Sequence, residues 1–183
     1  MAFVFFVTFV VSSSLYSSMS NDEAAERAAR LAALRLLAGR DYGAAQLVRR
    51  LIQRGHERAV AEAAVARLTR EHLQSDARYA ESLLRQRMRR GESPKVAAMH
   101  GRQQGVESEA LAAAVEQAEA HYDAETACRE LIGRRDPAEH YRRDERAWRR
   151  LARHLQSKGF ELGLIFRILG RQPRTNDHGL SEE

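Results

Sequence analysis

Apolar residues recur at three- and four-residue steps along most of the chain, which predicts α-helices. No segment alternates apolar and polar residues for long enough to predict a β-strand. The predicted helices cover about residues 23–38, 44–54, 60–71, 75–90, 94–105, 107–121, 123–132, 136–157 and 162–169. The pattern therefore predicts an all-α fold.

Glycine and capping residues set the expected ends of these helices. Gly55, Gly105 and Gly133 are expected to end three of them, because glycine readily adopts the left-handed conformation that closes a helix. Ser75-Asp76 offers an N-cap, and Asp136-Pro137 is predicted to open a helix that continues to Ser157.

A unit of sequence recurs along the chain. Leu47-x3-Leu51-x3-Gly55-His56 matches Leu151-x3-Leu155-x3-Gly159-Phe160, and Ala97-x3-Gly101-x3-Gly105-Val106 occupies the same frame with smaller residues. In each copy a helix precedes the unit, and a helix with an aliphatic anchor follows it. These anchors are Val60, Leu111 and Ile165. The repeat predicts an elongated array of three tandem three-helix repeats.

The expected domain boundaries follow from this repeat. The three repeats cover residues 24–75, 76–121 and 122–172. Residues 1–23 form an N-terminal extension outside the core, and residues 173–183 form a flexible polar tail.

The N-terminal segment contains the only long apolar run, AFVFFVTFVV at residues 2–11. A helix of this length reaches roughly 15 Å, about half of a bilayer core. No Lys or Arg precedes Arg27, which is unlike a secretory signal. We expect translation to start at Met19, with residues 1–18 an artefact of the assigned start; a cleaved signal or weak membrane anchor is the alternative. The expected location is the cytoplasm, without stable membrane association.

Composition and motifs argue against an enzyme. The single cysteine, Cys128, excludes an intrachain disulfide and any zinc site that needs two thiolates, and we expect it to be buried and structural. The sequence has no phosphate-binding Gly-rich loop, nucleophile elbow or HExxH motif. We therefore predict no catalytic residue, no metal ligand and no cofactor.

Charge is the more informative feature. The 30 basic residues exceed the 25 acidic ones, giving a net charge of +5. Arg142, Arg146, Arg149 and Arg153 fall within about 60° on one helical wheel, opposite Trp148, Leu151 and Leu155. This predicts a basic stripe roughly 16 Å long that could follow a phosphate backbone or an acidic protein groove. The alternative is a solvated charged face, tempered by Asp144 and Glu145.

A second basic cluster contains Arg85 and Arg89, on the helix face opposite Tyr79 and Leu83. Neither cluster has aromatic residues on its exposed face, so stacking of single-stranded bases is not predicted. Contact with a nucleic-acid backbone or a protein groove is the better interpretation.

A helix-turn-helix transcription regulator is the alternative function. The helices near residues 44–54 and 60–71 would form the motif. A base reader needs several side chains that reach base edges, and the second helix offers only Arg67, Arg70 and Glu71 near its far end.

An ordered set of short motifs resembles the RecX family of recombinase regulators. It runs from about residue 28 to 170 and comprises residues 33–38 with Arg40, Leu47-x3-Leu51-x2-Arg54-Gly55, Asp76-x-Arg78-Tyr79-Ala80, Arg89-Arg90-Gly91-x2-Pro94, Gly105-Val106, and Lys158-Gly159-Phe160 with Ile165. Each motif is short, and the order of the motifs along the chain carries the resemblance.

This resemblance implies three tandem three-helix repeats in an elongated, curved chain without enzymatic activity. It also implies binding to RecA and to the RecA–single-stranded DNA filament, with direct DNA contact as an open alternative. The family restrains filament growth, ATP hydrolysis, strand exchange and coprotease action in recombination, repair and the SOS response. We expect a monomer. The family supplies no sharp binding motif, so the site residues rest on the basic stripe.

Several residues depart from the family pattern. Gly43 stands where serine is usual, and His56 where phenylalanine is usual. Ala97 and Gly101 replace larger aliphatic residues, which should lose about 1–2 kcal/mol of burial per site unless neighbours refill the space.

Overall fold

The computed structural model describes residues 22–173, and these residues form α-helices joined by short turns. No described residue lies in a β-strand, so the all-α prediction is confirmed. Among the described helices, none is both long and apolar enough to cross a bilayer. The apolar run at residues 2–11, the expected start at Met19 and residues 174–183 lie outside the described residues.

Nine α-helices and one short 3-10 helix make up the described chain. Helix α1 covers residues 22–37. The others are α2 (Ala44–Ile52), α3 (Arg58–Arg70), α4 (Asp76–Arg89), α5 (Pro94–Gln104), α6 (Ser108–Glu119), α7 (Ala124–Arg135), the 3-10 helix (His140–Arg142), α8 (Glu145–Ser157) and α9 (Leu162–Leu169).

These helices form two compact units. Among the described residues, the first unit contains residues 22–82 together with Arg102–Ala110, and the second contains Leu83–Gly101 together with residues 111–173. The core of the first unit includes Ala33, Tyr42, Leu47, Leu51, Ala61, Val65 and Leu68. That of the second includes Cys128, Leu131, Ile132, Tyr141, Trp148, Leu151, Leu155, Phe160, Ile165 and Leu169. The repeat boundaries at residues 24–75, 76–121 and 122–172 stay a prediction.

The repeated glycines occupy the same turn in each copy. Gly55, Gly105 and Gly159 follow α2, α5 and α8 with φ angles of 90°, 79° and 89°. In the first and third copies the next backbone N–H reaches back to the carbonyl of the last repeated leucine, at 3.2 Å in both. This is the left-handed helix ending that favours glycine, so the sequence repeat is also a repeat of local structure.

The anchor of the first repeat was assigned one residue too early. Leu111 and Ile165 are buried as predicted, but Val60 is only half-buried. Ala61 is fully buried instead, and it follows Gly55 at the spacing by which Leu111 follows Gly105. A small residue can occupy this position because the Leu51 side chain belongs to the same core.

The connection between α7 and α8 differs from the prediction. Gly133 does not end α7, which continues to Arg135, and Asp136-Pro137 does not open a continuous helix to Ser157. Glu139 takes a left-handed conformation with φ of 54°, which interrupts the helical path. Helix α8 begins at Glu145, because the Asp144 carboxylate accepts hydrogen bonds from the backbone N–H groups of Arg146 and Ala147 at 2.8 and 3.1 Å.

Asp76 joins three segments of the first unit. Its Oδ1 accepts hydrogen bonds from the Ala44 backbone N–H at 2.8 Å and from Gln74 Nε2 at 2.7 Å. Its Oδ2 accepts from the Glu107 backbone N–H at 3.1 Å. Since these N–H groups begin α2 and precede α6, one carboxylate satisfies donors at two helix starts.

The neighbouring Tyr79 explains the departure at Gly43. Tyr79 is buried, and a Cβ atom added at Gly43 would lie 3.1 Å from its ring. Arg78 donates to the carbonyls of His72 and Leu73 at 3.2 and 3.1 Å. The Asp76-x-Arg78-Tyr79 motif is therefore a packing and capping element.

Candidate binding surface

Helix α8 separates a core face from an exposed basic face. Ala147, Trp148, Leu151 and Leu155 are buried, as the wheel predicted for the last three. Arg146, Arg149 and Arg153 are exposed and recur at three- and four-residue steps, so they share the opposite side of the helix. We call these three arginines the basic face.

Arg142 does not belong to the basic face. It is the last residue of the 3-10 helix, and the loop that precedes Asp144 separates it from α8. Its guanidinium makes a two-pronged ion pair with Glu139, at 2.7 and 3.1 Å, and lies 5.3 Å from the centre of the Tyr141 ring. The hydrogen bonds that Arg142 donates to the Glu139 carboxylate raise the pKa of Arg142. Its charge is therefore partly neutralised locally, and the predicted four-arginine stripe contains three arginines.

The basic face differs from Arg142 in its local partners. Arg149 pairs with Glu145, one turn earlier. Arg153 donates from Nε to the Arg149 carbonyl at 3.3 Å. Among the described residues, neither Arg146 nor Arg153 has a carboxylate partner. Two of the three charges are consequently available to an external anion.

The second predicted cluster is on another helix. Arg85 and Arg89 are exposed and lie one turn apart on α4, and Leu83, Leu84 and Tyr79 are buried. The Arg89 carbonyl accepts a hydrogen bond from Arg134 at 3.2 Å. The structure thus confirms the exposure of this pair.

Sequence reasoning missed a cationic cavity beside the basic face. A cavity of about 220 Å³ is lined by Arg135, Asp136, His140, Ala147, Arg150, Leu151 and His154. Burial, with Arg135 and Lys158, lowers the pKa of His154. Although burial opposes it, hydrogen bonds from His140 and the Tyr141 N–H hold the pKa of Asp136 below its ordinary value. The segment after α7 that carries Asp136 and His140 was predicted as part of a continuous helix to Ser157.

Sequence reasoning also missed two exposed apolar side chains on α9. Leu162 and Phe166 are 50% and 53% exposed. The Phe166 ring stacks on Trp148, with centroids 5.6 Å apart and planes at 30°. The signal was present in the sequence LGLIFRIL, because six of its eight residues are large and apolar, and a helix at the surface cannot bury all of them.

Side chains of the alternative helix-turn-helix form ion pairs within the first unit. Arg67 pairs with Glu71 at 3.0 Å and with Glu26 at 3.7 Å, and Glu71 also pairs with Arg30 at 2.6 Å. Arg30 and then Arg67 lower the pKa of Glu71 by hydrogen bonding. Two of the three candidate base-reading side chains are therefore engaged, which disfavours this function.

Cys128 is buried in the core of the second unit, as predicted. Burial raises the pKa of its thiol to about 11, so the thiol is protonated at neutral pH. Within residues 22–173, no group of three or more His, Cys, Asp or Glu side chains could hold a metal ion.

Comparison with known proteins gives the same family for separate parts of the chain. Family profiles match residues 29–68 as the first three-helix domain of RecX and residues 75–115 as the second. The regulatory protein RecX of Halorhodospira halophila is 37% identical over 144 residues, covering 78% of this chain and 86% of that protein. That of Pseudomonas fluorescens is 34% identical over 142 residues, covering 78% and 90%.

The fold agrees with a solved structure. The crystal structure of a regulatory protein RecX superposes with a TM-score of 0.68, at 17% sequence identity, over 83% of this chain and 74% of that one. At this identity the superposition bears on the fold alone. Sequence identity over three-quarters of the chain, together with the two profile matches, shows that the chain belongs to the RecX family.

Proposed function

We propose that this protein is a non-enzymatic regulator that binds RecA and the RecA–single-stranded DNA filament and restrains their recombinase, ATPase and coprotease activities. Its relatives are named regulatory proteins. The observation that carries the proposal is the basic face, an exposed arginine row in a chain of this family. Such a role belongs to recombination, repair and the SOS response, in the cytoplasm.

The basic face suits binding to a large anionic surface. Its helix is held by buried Trp148, Leu151 and Leu155, so little backbone entropy is lost when the arginines engage a partner. Arginine offers several N–H donors to a carboxylate or a phosphate oxygen. Binding along a filament could then limit its growth and turnover without any bond being made or broken.

The test is a titration of the full chain into RecA assembled on single-stranded DNA with ATP. We expect ATP hydrolysis to fall at substoichiometric ratios, because one bound regulator can restrain several neighbouring protomers. Arg146→Glu, Arg149→Glu and Arg153→Glu together should raise the concentration needed for half suppression at least tenfold. Raising the salt concentration should weaken the wild type more than the triple variant, since exposed charges are screened.

A matched control carries the same change in net charge on the first unit. Arg54, Arg58 and Arg70 are exposed, and their replacement by glutamate should leave suppression near that of the wild type. If both triple variants lose suppression of ATP hydrolysis equally, the arginines of the basic face act only through net charge and not as a specific contact surface. The helix-turn-helix function would be favoured by two results together. The wild type would have no effect on RecA, and the control variant alone would lose binding to duplex DNA. Sedimentation of the free protein checks the expected monomer.

A further inference from the structure

A groove between α8 and α9 lies next to the basic face. It has a volume of about 410 Å³. Arg149 and Arg153 line it from α8, Leu162 and Phe166 line it from α9, and the buried Trp148 and Ile165 lie at its base. We call this the apolar groove. We propose that it receives an apolar side chain from an acidic, amphipathic segment of the partner protein, an inference that rests on the proposed function.

The apolar side chains of the groove are only partly covered by their own chain. Leu162 and Phe166 each keep about half of their surface exposed. Phe166 is already held in place by its stack on Trp148, so it loses little freedom when a partner covers it. Aromatic side chains in such positions commonly dominate binding energy.

The charges beside the groove select an acidic partner. Arg153 has no carboxylate partner in the described part of the chain, and Arg149 is oriented by Glu145. The whole chain carries a net charge of +5. A segment that places an apolar side chain in the groove and carboxylates one helical turn away would satisfy both walls at once.

The same features disfavour other occupants. A nucleic-acid strand gains little from Leu162 and Ile165, and Phe166 already uses one ring face on Trp148. A second copy of this chain would bring another net positive charge to the arginines. An acidic protein segment uses the apolar surface and the arginines together.

Cross-linking tests the occupant directly. A photoactivatable phenylalanine analogue replaces Phe166 in the full chain, and a second chain carries it at Met99, another exposed apolar position on α5. Both are bound to RecA assembled on single-stranded DNA and irradiated. We expect position 166 to cross-link to an acidic segment of RecA well above position 99. A synthetic, tryptophan-free peptide of that segment should then change the emission of Trp148, the only tryptophan of the chain.

Binding variants separate the two parts of the groove. Phe166→Ser should lose about tenfold in filament affinity at any salt concentration, because the lost contact is apolar. Arg153→Gln should lose about threefold at low salt and little at high salt. Met99→Ser is the control and should bind as the wild type does. Leu162→Ser, on the same wall, should show a smaller salt-independent loss than Phe166→Ser.

The outcomes distinguish this inference from the proposed function. Suppose that the wild type suppresses ATP hydrolysis. If position 166 then cross-links to DNA, or cross-links to RecA no more than position 99 does, the inference about the apolar groove is overturned, while the proposed function as a regulator stands. The same holds if Phe166→Ser binds as tightly as the wild type. If the wild type neither binds the filament nor changes ATP hydrolysis, the proposed function fails, and this inference fails with it.

Discussion

The middle helices α4–α6 and the last helices α7–α9 fill equivalent positions with side chains of different size. In the last set, Leu155 on α8 and Ile165 on α9 are both large and fully buried. In the middle set, the position of Leu155 is taken by Gly101, and a Cβ atom added there would clash with the side chain of Leu111 on α6.

The difference shows how a core accommodates a small residue: the large Leu111 on the facing helix occupies the space beside Gly101. The first helices support this, since Leu51 on α2 shares its core with the small Ala61 on α3. The space that Ala97 and Gly101 were expected to leave is therefore refilled at Gly101 by Leu111. A helix position that looks too small in the sequence can thus belong to a well-packed core.

The largest expected effect comes from the last helices. Trp148→Ala should lower the free energy of unfolding by about 3–5 kcal/mol, because the ring is buried in the core of the second unit. Urea unfolding followed by circular dichroism measures this change. Trp148→Phe is the control and should cost less than about 1.5 kcal/mol, since the indole N–H has no hydrogen-bond partner within the described residues. A cost below about 1 kcal/mol for Trp148→Ala would contradict the buried position.

A swap tests whether the middle helices balance volume across the pair. Leu111→Ala alone should cost about 2–5 kcal/mol by leaving a cavity, and Gly101→Leu alone about 1–3 kcal/mol by overpacking. The double variant reproduces the large-small arrangement of Leu51 and Ala61. It should be more stable than the sum of the two changes predicts by at least about 1 kcal/mol.

The same unfolding measurement reads all three variants. Additive costs would mean that Gly101 and Leu111 do not share one space, and the comparison with the first helices would then fail. A Gly101→Ser variant adds a check, because its smaller side chain should overpack less than leucine does.

Much of the helical layout could be predicted from the sequence because its signals are local. Gly55, Gly105 and Gly159 end their helices through their own backbone conformation. The segment after α7 was misread because Asp136-Pro137 and Asp144 are competing start signals. Only the structure shows that the Asp136 carboxylate accepts a hydrogen bond from the Tyr141 N–H, closing a turn there.

The candidate surface was less predictable, because exposure depends on which helices pack together. A wheel correctly placed Arg146, Arg149 and Arg153, but it assumed one helix through Arg142. The sequence did not predict a role for Phe166, because the repeat assigns Ile165 as the apolar anchor of α9. Its stack on Trp148, eighteen positions earlier, is a tertiary contact that no local pattern encodes.

Alkaline pH should weaken the last helices through Cys128. Burial raises the pKa of this thiol from 9.0 to about 11, so the unfolded state loses its proton first as pH rises. The stabilisation is complete below pH 9 and is lost toward pH 11, by about 2 kcal/mol. Cys128→Ala should flatten this part of the pH profile relative to the wild type. Burial raises the pKa of the half-buried Tyr122 to about 12, which adds a further decline at still higher pH.

The alkaline decline is measured as the difference in unfolding free energy between wild type and Cys128→Ala at pH 8 and pH 10. The cavity left by the missing sulfur affects both pH values equally, so only the change in the difference reports the thiol. Identical slopes for the two proteins would show that the thiol ionises as readily in the folded state as in the unfolded one.

The smallest expected effect on stability comes from the basic face of α8. Replacing Arg146, Arg149 and Arg153 by glutamate removes the exposed Arg149–Glu145 pair, and such pairs contribute little. The triple variant should therefore unfold within about 1 kcal/mol of the wild type, while its filament binding falls at least tenfold. Urea unfolding at low and high salt measures the first quantity. A loss comparable to that of Trp148→Ala would mean that these arginines support the fold, and weaker binding could then no longer be assigned to a lost contact.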